Sequence, residues 1–205
     1  MQTSLSLYNN SHLNHGMTKG RPNRHFLFDV GSSMFEASLS WLICAYSQRK
    51  ISFNALYAWE PSTLEPKKFW HEVPDVWKPY FHFYNTPVTS RLDSNDSPLR
   101  FIHTLADVDD FIALKLDLDD HSIEDPMIQH ILKDPTFAGK IDELFLSFRF
   151  HCEIHSFGPW EKSCKALPRK DPVTGALLDR VNAFNTLMGL RHLGIRAHTW
   201  PGLDS

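Results

Sequence analysis

At 205 residues, with 42% hydrophobic and 22% charged residues, the chain is long enough for one domain with one substantial core and lies outside the low-hydrophobicity, high-charge profile of a disordered protein. The net charge of −3 is spread over scattered basic and acidic residues, which argues against a nucleic-acid partner or an anionic membrane surface. Three widely spaced cysteines, Cys44, Cys152 and Cys164, do not make a disulfide framework or a cysteine zinc site and fit a reducing, cytoplasmic compartment.

Residues 1–24 are rich in Ser, Asn, His and Gly without periodicity, and read as a leader with neither a signal-peptide core nor a membrane span. Residues 25–205 read as a single domain. His25 to Val30 is a short apolar run ending at Gly31-Ser32-Ser33, the pattern of a strand buried on both faces. A helix follows through about Arg49, with Ser33 as N-cap and Glu36 three residues on.

The alternation then repeats. Ala55–Trp59 is a second strand, Leu64–Trp70 a short helix, and Tyr80–Tyr84 a third strand. A turn-rich loop covers 85–97, Leu99–Ala106 is helical, and Phe111–Leu116 is a fourth strand running into Asp117-Leu118-Asp119-Asp120. Ser122–Lys133 has helical spacing and Ile141–Phe150 is a fifth strand. Residues 151–174 form the longest irregular segment, suited to a lid or binding loop. A helix over Leu177–Leu193, stopped by Gly194, leads to a last strand, Ile195–Trp200. Strands alternating with helices imply an α/β, doubly wound, mainly parallel Rossmann-like sheet with helices on both faces.

In such a sheet ligands bind beyond the carboxyl ends of the strands, where loops and helix N-termini converge. That rule selects Asp29 and Gly31 after the first strand, Glu60 after the second, Asp117 and Asp119 after the fourth, and His151, Glu153 and His155 after the fifth. Gly31 suits a turn where the backbone approaches a cofactor and the amides that follow, Ser32 first, offer hydrogen-bond donors. The same glycine also serves simply to turn a strand into a helix. Glu60 is placed to accept both hydroxyls of a ribose, although a solvated loop glutamate would read the same. His151-Cys152-Glu153-Ile154-His155, completed by Asp117 or Asp119, has residue types for a divalent metal. A strand end with its loop accounts for it equally, and no metal is assigned. His151 is preferred as a general base taking a proton from a hydroxyl nucleophile.

Three segments, Phe28-Asp29-Val30-Gly31, Tyr57-Ala58-Trp59-Glu60-Pro61 and Asp110-Phe111-Ile112-Ala113-Leu114-Lys115-Leu116-Asp117, resemble in order and spacing the FkbM-type, class I S-adenosylmethionine-dependent methyltransferases. The resemblance spans about His25 to Phe150 and implies S-adenosylmethionine as cofactor, with Gly31 near its methionine portion and Glu60 on its ribose; Asp29 and Ser32 are placed with the cofactor by their position at the first turn. It also implies that Asp117 faces the methyl-transfer site; Asp119 and His151 join it as catalytic candidates by their place after the fourth and fifth strands, not by the resemblance. Where that family carries a second glycine after the first, this chain reads Ser32-Ser33-Met34-Phe35, and the family's Glu-Gly step after the fourth strand reads Asp119-Asp120. The family ends in an antiparallel hairpin, for which the residues after Trp200 are too few.

Two functions follow from these features. One is methyl transfer from S-adenosylmethionine to an oxygen of a small-molecule or sugar-like acceptor, a reaction that needs alignment more than acid–base machinery. The other is a non-catalytic binding or regulatory domain that keeps the fold without the cofactor. Met34 and Phe35 discriminate: pointing into the cofactor cleft they favour the second, and packed into the sheet they leave the first standing. A nicotinamide-binding oxidoreductase would need a Gly-x-Gly-x-x-Gly turn, which is absent.

Overall fold

The computed structural model describes residues 23–32, 34–36, 39–118, 120–148 and 180–200. Six strands, β1 (His25–Val30), β2 (Ala55–Trp59), β3 (Phe81–Tyr84), β4 (Phe111–Leu116), β5 (Glu143–Ser147) and β6 (Arg196–Trp200), form one sheet in the order β3-β2-β1-β4-β5-β6. All five neighbouring pairs are parallel. The helices are α1 (Leu39–Gln48), α2 (Pro66–Glu72), α3 (Pro98–Leu105), α4 (His121–Lys133), α5 (Pro135–Ala138) and α6 (Arg180–His192). β6 pairs directly with β5, and no antiparallel strand occurs among the described residues.

The sheet separates two apolar layers. Leu27, Leu56, Ala58 and Ala113 pack with Leu39, Leu42 and Tyr46 of α1 and Phe69 of α2. On the other face Phe26, Phe28, Val30, Ile112 and Leu114 pack with Leu99 and Ile102 of α3, Met127 and Ile131 of α4, Phe137 of α5, and Leu187 and Leu190 of α6. Strands covered on both faces need apolar residues at successive positions, which is why β1 and β4 read as continuous runs. The chain passes from β1 outward to β2 and β3, then returns across the sheet to β4 on the other side of β1. The β1/β4 junction is therefore the switch point where loops diverge and leave a crevice.

Arg24, which the sequence places at the end of the leader, is tied into the fold: its backbone nitrogen and Nε donate to Asp110 Oδ1 at 2.9 and 3.1 Å, and its carbonyl accepts from the Phe111 amide. A 3-10 turn over Lys78–Tyr80 takes the first residue of the expected third strand, and α5 is a short helix that the spacing did not announce. No helix among the described residues is long and apolar enough to cross a membrane.

Candidate functional site

Asp29, Lys115, Asp117 and Glu60 stand at the carboxyl edge of three adjacent strands, on the side of the sheet that carries α1. Strand alternation explains the shared side: Leu27, Ala58 and Ala113, two residues before Asp29, Glu60 and Lys115, all pack in the α1 layer. In the parallel register Asp29 lies beside Lys115. The Lys115 ammonium, 1% exposed, sits 2.8 Å from Oδ1 of the wholly buried Asp29 and 3.4 Å from Asp117 Oδ2. It also donates to the Gly31 carbonyl at 3.2 Å and lies 5.4 Å from the centroid of the Trp200 ring. Burial disfavours the ammonium, but the Asp29 and Asp117 carboxylates outweigh it and hold Lys115 above the usual lysine value, so it is protonated at neutral pH.

Gly31 has φ +96°, and a Cβ there would fall 1.9 Å from the Asp117 carbonyl oxygen. The close approach the sequence expected of this glycine is made by the chain's own backbone at the end of β4. Both amides that follow β1 are also engaged: the Gly31 and Ser32 nitrogens donate to the Trp59 carbonyl at 2.9 and 3.0 Å. The Asp117 amide donates to the Val30 carbonyl at 2.8 Å. The first turn thus fastens β1 to β2 and β4, and its Gly31 and Ser32 amides are both spent within the protein.

Glu60 is 5% exposed. Its Oε1 accepts the Ser62 amide at 2.7 Å, so one carboxylate oxygen folds its own loop while Oε2 has no protein donor among the described residues. Asn85, just after β3, donates to the Glu60 and Ser62 carbonyls at 2.7 and 2.6 Å and accepts from the Leu64 amide. Across the switch point, Asp120 caps α4 by accepting from the Ser122 amide at 2.9 Å, and Glu124 accepts the Leu118 amide at 2.7 Å.

Five buried polar side-chain atoms of the described residues lack a hydrogen-bond partner: Ser32 Oγ, Trp59 Nε1, Ser97 Oγ, Asp117 Oδ1 and His121 Nδ1. Each belongs to the carboxyl end of a strand, the segment leaving it, or the start of the next helix; His121 Nδ1 lies 3.3 Å from Glu124 Oε2 without hydrogen-bond geometry. At the amino-terminal half of the sheet no such atom occurs among the described residues. There Glu143 accepts from Tyr46 Oη at 2.6 Å and lies 2.8 Å from His198 Nε2. An unpaired buried polar group costs about 1–3 kcal/mol, so each of these atoms calls for a partner, ordered water included. An open depression of about 490 Å³ lined by Pro87, Val88, Thr89, Arg91, Asp93, Ser94 and Asp96 flanks this edge in the β3–α3 loop.

No family model, curated protein or solved structure matches the chain. Its functional reading therefore rests on the fold and on this edge. Of the residues that the sequence selected, Asp29, Gly31, Ser32, Glu60 and Asp117 converge on the carboxyl edge of β1, β2 and β4. Asp119, His151, Glu153 and His155 lie outside the described residues. Among the described residues no group of three or more His, Cys, Asp or Glu side chains is placed to hold a metal.

Lys115 and Asn85 are the participants to which the sequence reading gave no role. The signal for Lys115 was present: it is the single charge inside the apolar run Phe111–Leu116, and a charge that enters a core does so with partners.

Proposed function

We propose that this chain is a nucleotide-cofactor-binding α/β domain that uses S-adenosylmethionine to methylate an oxygen of a small-molecule or sugar-like acceptor. The observation that carries the reading is the confinement of unpartnered buried polar atoms to the carboxyl edge of the sheet, where doubly wound folds bind ligands. The donor set suits the cofactor. Glu60 Oε2 would accept from the ribose hydroxyls, Ser32 Oγ and the Gly31 turn would flank the methionine portion, and Asp117 Oδ1 would accept from a hydrogen-bond donor at the transfer site. When bound, the cofactor supplies a methyl group on a positively charged sulfur.

The protein's task is then mostly alignment. Asp117 orients the acceptor hydroxyl, and in this proposal Asp119 and His151 serve the same centre, His151 taking the hydroxyl proton. Phe35 supports the reading because it is 2% exposed and packs edge-on against Phe81 in the α1 layer, 5.5 Å between ring centroids, rather than filling the crevice. Met34 is 36% exposed.

A specific observation favours the second reading, a non-catalytic binding domain. The Gly31 and Ser32 amides are both engaged by the Trp59 carbonyl, so neither is free to donate to a ligand as in a glycine-rich cofactor loop. Calorimetric titration with S-adenosylmethionine and with S-adenosylhomocysteine decides between them. The enzyme reading expects micromolar binding that weakens at least about tenfold in Glu60→Ala, a loss of about 1.4 kcal/mol or more; no binding at millimolar ligand leaves the binding-domain reading.

A further inference from the structure

Lys115 is one cation between two carboxylates, and the two are not equivalent. Asp29 is 0% exposed and receives the ammonium at 2.8 Å, which would suffice to neutralise it. Asp117 is 14% exposed and is touched more loosely, through Oδ2 at 3.4 Å, while its Oδ1 is buried with no partner. Gly31 adds a carbonyl acceptor from β1, and the Trp200 ring lies against the ammonium from β6. A lysine required only as counter-charge to Asp29 has no need to reach toward a second acid at the crevice. Ser32 Oγ is a second buried side-chain atom after β1 without a hydrogen-bond partner.

We propose that Lys115 is a positioning residue of this site: anchored by Asp29 and the Gly31 carbonyl, its ammonium fixes Asp117 through Oδ2 and presents Oδ1 as the acceptor for a hydroxyl or ammonium hydrogen of the ligand. Asp29 on this account is the anchor of the lysine and touches no ligand. The positioning is a property of the protein alone; only the identity of the ligand rests on the methyltransferase reading.

The test separates the two. Lys115→Met alone strands a buried carboxylate, so the informative variant is Asp29→Asn/Lys115→Met, which removes both charges together. Side-chain scalar couplings of Asp117 report its rotamer, thermal unfolding reports the fold, and calorimetry with S-adenosylhomocysteine as the probe reports binding. The expected result is a single Asp117 rotamer in the wild-type protein, rotamer averaging in the folded double variant, and affinity at least about tenfold weaker. An unchanged rotamer and affinity in the folded double variant overturn the proposal and reduce Lys115 to a counter-charge. If the wild-type protein does not bind the probe, the couplings decide alone: averaging upholds the positioning role and removes the cofactor assignment, whereas an unchanged rotamer removes the positioning role. Should the double variant fail to fold, Asp117→Ala replaces it in the binding measurement, and retention of wild-type affinity overturns the proposal.

Discussion

At the level of single residues, backbone geometry at Gly31 is the strictest constraint in the site. Its φ of +96° excludes most side chains, and the Asp117 carbonyl oxygen, 1.9 Å from where a Cβ would stand, excludes the rest. Relief would require separating the ends of β1 and β4, which the Asp117 amide joins to the Val30 carbonyl. Gly31→Ala is expected to cost roughly 3 kcal/mol or more, read from denaturant unfolding of both proteins. The same contact shows what a sequence conceals. Asp29, Gly31, Glu60 and Asp117 were legible because strand ends in an α/β fold are functional positions. That Gly31 answers to a backbone carbonyl, and that Lys115 reaches Asp29 across 86 residues of sequence, are facts of strand order that no local spacing encodes.

At the level of elements, the start of the sheet depends on an ion pair that the sequence divided between a leader and the residue before the fourth strand. Asp110 accepts from the Arg24 backbone and Nε and from the Asp107 amide. Burial works against its charge, but the Arg24 guanidinium and these amides prevail and hold Asp110 below the usual carboxylate range. A carboxyl depressed in the folded state contributes stability that is complete above its unfolded pKa, about 3.9, and is lost as pH falls through the folded value. Asp110→Asn should therefore cost about 2 kcal/mol at pH 7, and the gap to the wild-type protein should narrow as denaturation is repeated below about pH 4. The elements themselves are legible where burial is two-sided: β1, β2 and β4 match the expected spans. They are less so where a short turn intervenes, as at Lys78–Tyr80 before β3, or where four residues make a helix after Asp134, whose side chain accepts from the Thr136 amide.

At the level of the whole molecule, polarity runs along the strands. The amino-terminal half is closed by satisfied contacts such as Tyr46 with Glu143, where burial and that hydrogen bond raise the tyrosine hydroxyl well above its usual value. The carboxyl edge holds the unmatched polar atoms, and this asymmetry is the physical content of the proposal that a nucleotide cofactor binds there. Strand alternation made the parallel sheet legible in advance. The direct β5–β6 pairing was not, because partner choice between distant strands is settled by packing. Amide chemical-shift mapping of the labelled protein during titration with S-adenosylhomocysteine tests the claim most directly. The account predicts saturable shifts grouped at residues 31–36, 59–62, 85 and 117–122, with the Glu143 and His198 amides unmoved; no shifts at millimolar ligand, or shifts centred on Glu143 and His198, would contradict it.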